Sequence, residues 1–577
     1  MKRIHHGNFT RARARAFLVS LVLAGGVLFS SPRLLALDEQ DYSQRAQDAF
    51  KNKDFNAAIE NLTQIVQIDP QDAKSYYNLG FAYQNLHEYD KALEDYSQAI
   101  QLNPKYAWAY GQRGFIYEAL GDYDKAIADY TQLIQLSPGP RAFFGRGLAY
   151  RNKHDYENAI ADFDVAIQLF PNYAAAYCQR GLVLESEHSY KHAIADEDKA
   201  LQLDPRFIQA YSVRGIAYQD LRDYDKALAD FDYALQIDPK FEPSYVNRGM
   251  THLLEHDFDK ALAEFNQAIQ INPKDALAYR DRGNTYRTEH DYGKALADLN
   301  QAIQLAPKDA MAYCDRGMIY QLERAQDKAV ADENQAIQIA PQDAKVYVNR
   351  GNVYLNAGDY DNAVADFGRA LQLDATSAST YCFRASAYQK KSDYDDAIPD
   401  LDQALQLDPK LPEAYIVRGL VHGAQGNYDQ AIADDNLALQ IDPKNAYACV
   451  LRATAEATMG NGDKAITDFK QALELGPDNA EIYNAYAWSL ATCPQASCRN
   501  GKKAVEYATK ACGLTAGQEP NDLDTLAAAC AESGDFASAV KWETHCLETP
   551  YLRPDLTSAA QKRLALYQAH QPYHEAQ

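Results

Sequence analysis

Of 577 residues, 57 are Lys or Arg, 80 are Asp or Glu, 47% are hydrophobic and nine are Cys, for a net charge of −23. That apolar share is ordinary for a packed protein and too high for a largely disordered chain. The one apolar run of note, Ala16 to Phe29, has 14 residues and falls short of a membrane span, and the Cys are too sparse for a disulfide-built scaffold, so a polytopic membrane protein and a disulfide-rich module are excluded.

Residues 1–36 carry Lys2, Arg3, Arg11, Arg13, Arg15 and Arg33 and no acid. A basic stretch, a short apolar run and a small residue, Ala36, are the layout of a secretory signal peptide. Cleavage near Leu37 predicts a periplasmic or secreted protein with no stable membrane insertion; the alternative is a segment retained as an anchor. Loss of its six positive charges takes the net charge from −23 to −29, which repels nucleic-acid phosphates and anionic lipid, so no nucleic-acid partner is expected.

From Pro70 to Pro477, twelve of the 22 Pro recur every 34 residues, save one interval of 33, which contains Pro138-Gly139-Pro140, and one of 68, where Ala375 takes the missing place. With that Pro as position 32, position 4 is aromatic (Tyr76, Tyr110, Phe143), position 8 is mostly Gly (Gly80, Gly114, Gly147) and position 20 is Ala. Apolar residues at 4, 8 and 11 share one helical face, and those at 20, 24 and 27 another. A polar turn separates the two faces and Pro closes the second helix. Each unit reads as a helical hairpin that must stack on its neighbours to bury its apolar face.

This pattern resembles the tetratricopeptide repeat. The resemblance covers residues 39–553 as about fifteen repeats, the last two degenerate, and residues 555–570 read as a polar capping helix. It implies an all-α array, a right-handed α-α superhelix (solenoid), in which positions 2, 5, 9 and 12 of the first helices face a concave groove.

Position 7, usually Leu in the family, is Arg in eleven successive repeats, from Arg113 to Arg452, and the same repeats carry an acid at position 23, from Asp129 to Asp468. A ladder of charge pairs between helices is expected, since an unpaired Arg there is costly to bury. Glu197, Glu333 and Asp435 replace the aromatic at position 24 and should loosen their repeats. Pro399 should kink its helix, and the 33-residue interval should change the pitch of the array.

No segment of domain size is left over for a catalytic domain, and no phosphate loop, dinucleotide Gly fingerprint or metalloprotease His-Glu motif occurs. No enzyme, cofactor or metal is expected. His87, His154, His188, His256 and His290 all fall at position 15, where a His favours the first helix's dipole. Cys493 and Cys498 flank a short loop in an insertion and read either as a disulfide or as two free thiols.

Across repeats two to ten the groove positions hold six basic residues against two acids, Glu118 and Glu185, a local inversion of charge. One cluster combines aromatics with Arg: Tyr77, Phe81, Trp108, Phe115, Arg141, Phe144 and Arg151. A polar-basic one holds Arg280, Asn284, Arg287 and Lys345. These are candidate peptide-binding residues, because aromatics and Arg dominate interface energetics; packing between adjacent first helices is the other reading. By analogy with the family, the expectation is a non-enzymatic scaffold binding a partner protein or peptide, anionic in the case of the first cluster, with envelope polysaccharide assembly or export as the alternative.

Overall fold

The structure, a computed structural model, describes residues 32–549 and 554–575. The expected leader, residues 1–36, lies outside these as far as residue 31. The described residues hold thirty-one α-helices, one 3-10 turn and no strand. They form fifteen hairpins, from Pro32–Lys51 with Phe55–Ile68 to Pro520–Glu532 with Phe536–Glu548, and a closing helix, Pro554–Gln568. There are two compact halves, divided between Pro273 and Lys274. Repeats 1–7 lie in the first, and repeats 8–15 with the closing helix in the second. Within each half every hairpin stacks on the next, the arrangement of an α-solenoid.

The hairpins form where the repeat places their caps. At position 16 an Asp starts the second helix, as where the carboxylates of Asp122 and Asp155 accept the backbone N–H of Lys125 and Asn158. Just before it, position 15 sits in the left-handed region: φ is 59° at His87, 62° at His154 and 79° at Gly121. This corrects the reason for the recurring His. They lie just past the first helix in the conformation that reverses the chain, and each ring meets the aromatic two residues on, as where His154 Nδ1 is 3.0 Å from Tyr156 Oη.

Ala at positions 20 and 27, such as Ala227 and Ala234, is fully buried. The position-24 ring lies over the Gly at position 8; a Cβ added to Gly215 would come 2.5 Å from Phe231 Cε1. Only Gly permits that approach. Glu197, Glu333 and Asp435 occupy the same slot, over Gly181, Gly317 and Gly419, with the helices intact around them. Both Glu197 carboxylate oxygens and Asp435 Oδ1 are buried without a hydrogen-bond partner, while Cys314 Sγ donates to Glu333 Oε2 at 3.2 Å. The strain of these substitutions is therefore electrostatic: burial pushes Glu197 up to about 9, Glu333 to about 7 and Asp435 to about 8.

All eleven expected charge pairs form, with N···O distances of 2.6–3.0 Å, ten of them two-pronged and Arg248–Glu264 joined by one bond. The guanidinium does more than the pairing required. Its second terminal nitrogen reaches position 25 of the preceding repeat, as in Arg146 to Thr131, Arg350 to Asn334 and Arg452 to Asn436, and its face lies on the position-4 ring, 5.6 Å away for Arg214 over Tyr211. Repeat 2 supplies the contrast: Leu79 stands at position 7, and burial pushes the carboxyl of Asp95 at position 23 up to about 7. The helix Tyr394–Leu407 runs unbroken through Pro399 and keeps its Arg384–Asp400 pair. In the first of the two degenerate repeats stacked rings replace the ladder, with Tyr486 4.6 Å from Phe469 and 4.8 Å from Tyr507, and in the last Leu526 and Trp542 stand at the ladder positions.

Candidate functional site

The structure divides the first cluster. Tyr77 packs on Tyr96 and Tyr106, with centroids 5.7 and 5.0 Å away, and Phe144 on Phe163 and Tyr173, at 5.8 and 4.9 Å. Phe81 lies 6.0 Å from Phe50. Arg151 bonds to Asn152 and Gln179, and Asn152 in turn reaches Glu118. Burial raises the Glu118 carboxyl, while the Tyr130 hydroxyl and Arg151 pull it down. Arg151 thus belongs to a network between helices and is set apart from Arg141.

Trp108, Phe115 and Arg141 do come together. They line an apolar cavity of about 590 Å³ with Gly111, Leu133, Ser137, Gly139 and Pro140. Trp108 is 67% exposed and Phe115 50%. Arg141 is exposed, and no carboxylate lies within ion-pair distance of it among the described residues.

The cavity has a cause in the repeat. In the flanking repeats an aromatic at position 34 covers position 5: Tyr106 over Tyr77, and Tyr173 over Phe144. Between them, the shortened link Pro138-Gly139-Pro140 puts Gly139 where that aromatic would stand, and position 5 is Gly111. A Cβ on Gly139 would meet nothing within 4 Å. Two missing side chains leave the hollow, and Trp108 and Phe115 rim it. The 33-residue interval is the signal of this site in the sequence, and the coincidence of Gly111 with Gly139 is what locates the cavity.

The second cluster is assembled but not free. Arg280 Nη1 donates to Asp309 Oδ2 at 3.0 Å, with Asp315 at 3.8 Å and Asp281 at 3.9 Å from its Nε. Asn284 Nδ2 donates to Asp315 Oδ2 at 2.9 Å, and Arg287 Nε reaches Asn284 Oδ1 at 3.4 Å. Lys345 is exposed on its own helix, where its backbone N–H donates to the cap Asp343. Burial pushes Asp281 up to about 7 against the pull of Arg280, and raises Asp315 against Asn284, Arg280 and Arg287. The charge inversion counted over groove positions is cancelled here by acids at positions 6 and 34, which that count left out.

Cys493 and Cys498 are buried free thiols near each other; burial pushes Cys493 up to about 11, with the Cys498 thiol adding to the rise. Among the described residues no group of three or more His, Cys, Asp or Glu could hold a metal, and no helix is long and apolar enough to cross a membrane.

Family models described as tetratricopeptide repeat or TPR repeat match residues 47–87, 73–106, 96–128, 113–174, 208–241, 249–313, 344–377, 384–446 and 450–492. The chain is a tetratricopeptide repeat protein. Among solved structures, this tetratricopeptide protein is similar to the APC/C hetero-tetramer Cut9-Hcn1, at 16% identity over 85% of this chain and 96% of that one, with a TM-score of 0.54. It is also similar to yeast Tom70, at 17% identity over 81% and 96% and a TM-score of 0.34, and to a MamA protein, at 27% identity over 29% and 92% and a TM-score of 0.27. The first of these shares its fold. No curated protein matches it by sequence. Tetratricopeptide arrays typically serve as protein–protein interaction scaffolds and are generally non-enzymatic; the polysaccharide alternative finds no support here.

Proposed function

We propose that this protein is an exported, non-catalytic scaffold that holds a partner protein or peptide on its first helices, anchored at the Trp108 cavity. The observation that carries the reading is the exposure of Trp108 and Phe115 at the rim of an unfilled apolar hollow. Exposed large aromatics around a concave apolar site are the composition of an interface hot spot. Arg141 beside them favours an anionic segment with an apolar or aromatic anchor. The basic, acid-free leader layout supports export.

A peptide array screened on the full chain, with calorimetry on the best binder, tests the site. Trp108→Ala should weaken that binder by about 2 kcal/mol or more with an unchanged helical spectrum. Equal binding by the variant would place the anchor elsewhere. Mass spectrometry of the exported protein should find a new terminus near Leu37; an intact Met1 end in the envelope fraction would sink the cleaved-leader reading.

A further inference from the structure

A second groove site lies in the other half of the chain, over the first helices of the last three repeats, Ala446–Thr458, Ala480–Thr492 and Pro520–Glu532. After the closing helix, residues 571–575 turn back onto it. Trp488 Nε1 donates to Glu575 Oε1 at 2.7 Å, and the Glu575 backbone N–H donates to the Thr492 carbonyl at 2.9 Å. His574 Nε2 lies 2.7 Å from Glu532 Oε2. The Tyr573 ring stands 6.0 Å from Trp488, with the Arg563 guanidinium over both, 5.7 and 5.5 Å from their centroids. Trp488 occupies position 9, a groove position. A main-chain hydrogen bond, a carboxylate on an indole N–H and an aromatic against an Arg-backed ring are the contacts of a bound peptide.

The tail leaves this site incompletely used. Beside Glu575 a cavity of about 300 Å³ opens, lined by Thr454, Asn484, Ser489, Asn521 and Thr525 among others. The Oδ1 of Asn484 is buried there without a hydrogen-bond partner, an acceptor with an unmet need for an N–H. A ligand that keeps the aromatic and acidic contacts, fills the cavity and donates to Asn484 has more to gain than the tail does.

We propose that this groove is a peptide-binding site selective for an aromatic residue followed two positions later by a carboxylate, occupied in cis by Tyr573-His574-Glu575 until a partner segment of that chemistry displaces it. Tethering gives the tail an effective concentration on the order of millimolar, so it masks the site against weak ligands and yields to a better one. The site is independent of the Trp108 cavity, and either proposal can fail alone.

The test uses the full chain and, as probe, a synthetic peptide of residues 569–577, followed by calorimetry. Tyr573→Ala with Glu575→Ala should unmask the groove, so that the probe binds at least about ten-fold more tightly than to the wild-type chain. Adding Trp488→Ala should abolish that gain. Circular dichroism checks the helices of each variant; should the double variant unfold, Glu575→Gln keeps Tyr573 in place, removes only the carboxylate, and should give a smaller gain of the same sign. No gain in a folded tail variant, or a gain that survives Trp488→Ala, overturns the proposal.

Discussion

The Trp108 cavity and the Arg280 network both draw on groove positions of the first helices, one in each half of a repeating sequence, and they differ in what stands next to them. Around Trp108 two Gly remove the side chains that close the neighbouring repeats, and Arg141 has no acid within ion-pair distance among the described residues. Around Arg280 three Asp close on the guanidinium. Groove position by itself does not make a binding residue. An Arg whose charge is already answered contributes to the fold, whereas one that rims an unfilled apolar hollow can contribute to recognition.

The largest expected effect restores the missing ring. Gly139→Tyr should close the cavity as Tyr106 and Tyr173 close theirs, since a Cβ there meets open space. Peptide binding at Trp108 should fall below detection by calorimetry while unfolding midpoints hold or rise. Binding retained at wild-type strength would mean that the hollow is not the anchor. In the other half, Arg280→Ala should lower unfolding stability by about 1–3 kcal/mol by stripping the donor from Asp309 and the opposite charge from the buried Asp315 and Asp281, with no effect on a Trp108 ligand. A loss of binding with no loss of stability would reverse the two roles.

A third measurement follows proton uptake in the Arg280 network. Asp281 is raised to about 7 in the folded chain from an ordinary carboxyl value near 4. The folded state therefore holds its proton more tightly than the unfolded one, and the resulting stabilisation is full below about pH 4 and lost as pH rises through 7. Chemical denaturation across that window should show stability falling with pH, and Asp281→Asn should flatten the slope; an unchanged slope would remove Asp281 from the account. The smallest effect is Arg141→Ala, which should weaken an anionic ligand by about 1 kcal/mol or less in low salt and by nothing measurable at high salt, because exposed charges are screened. Salt-independent loss would point to packing by Arg141 instead of charge.

Much of the fold was legible because the 34-residue period sets it. The Pro spacing, the small residues at 8 and 20 and the joint presence of Arg at 7 with an acid at 23 led to hairpins, stacking and the ladder. Less legible was whatever depends on a neighbour outside the positions being counted. Asp281 and Asp315 sit at position 6, so a tally over positions 2, 5, 9 and 12 could not see them neutralise Arg280. The left-handed backbone at His87 and its equivalents has no signature in side-chain periodicity, although Gly121 and Gly358 at the same position hinted at it. The polarity of Glu197 says nothing of its slot, which Gly181 keeps roomy enough for a carboxyl to enter.

The eleven Arg at position 7 have a mechanical consequence. Each holds its own repeat's second helix and, in most repeats, grips the second helix of the repeat before it. Within either half, a load applied along the Arg-bearing repeats passes through the same guanidinium clamp, so those rungs should yield at similar forces. The fourteenth repeat, held by the stack of Phe469, Tyr486 and Tyr507, carries no such clamp and should part at a force of its own.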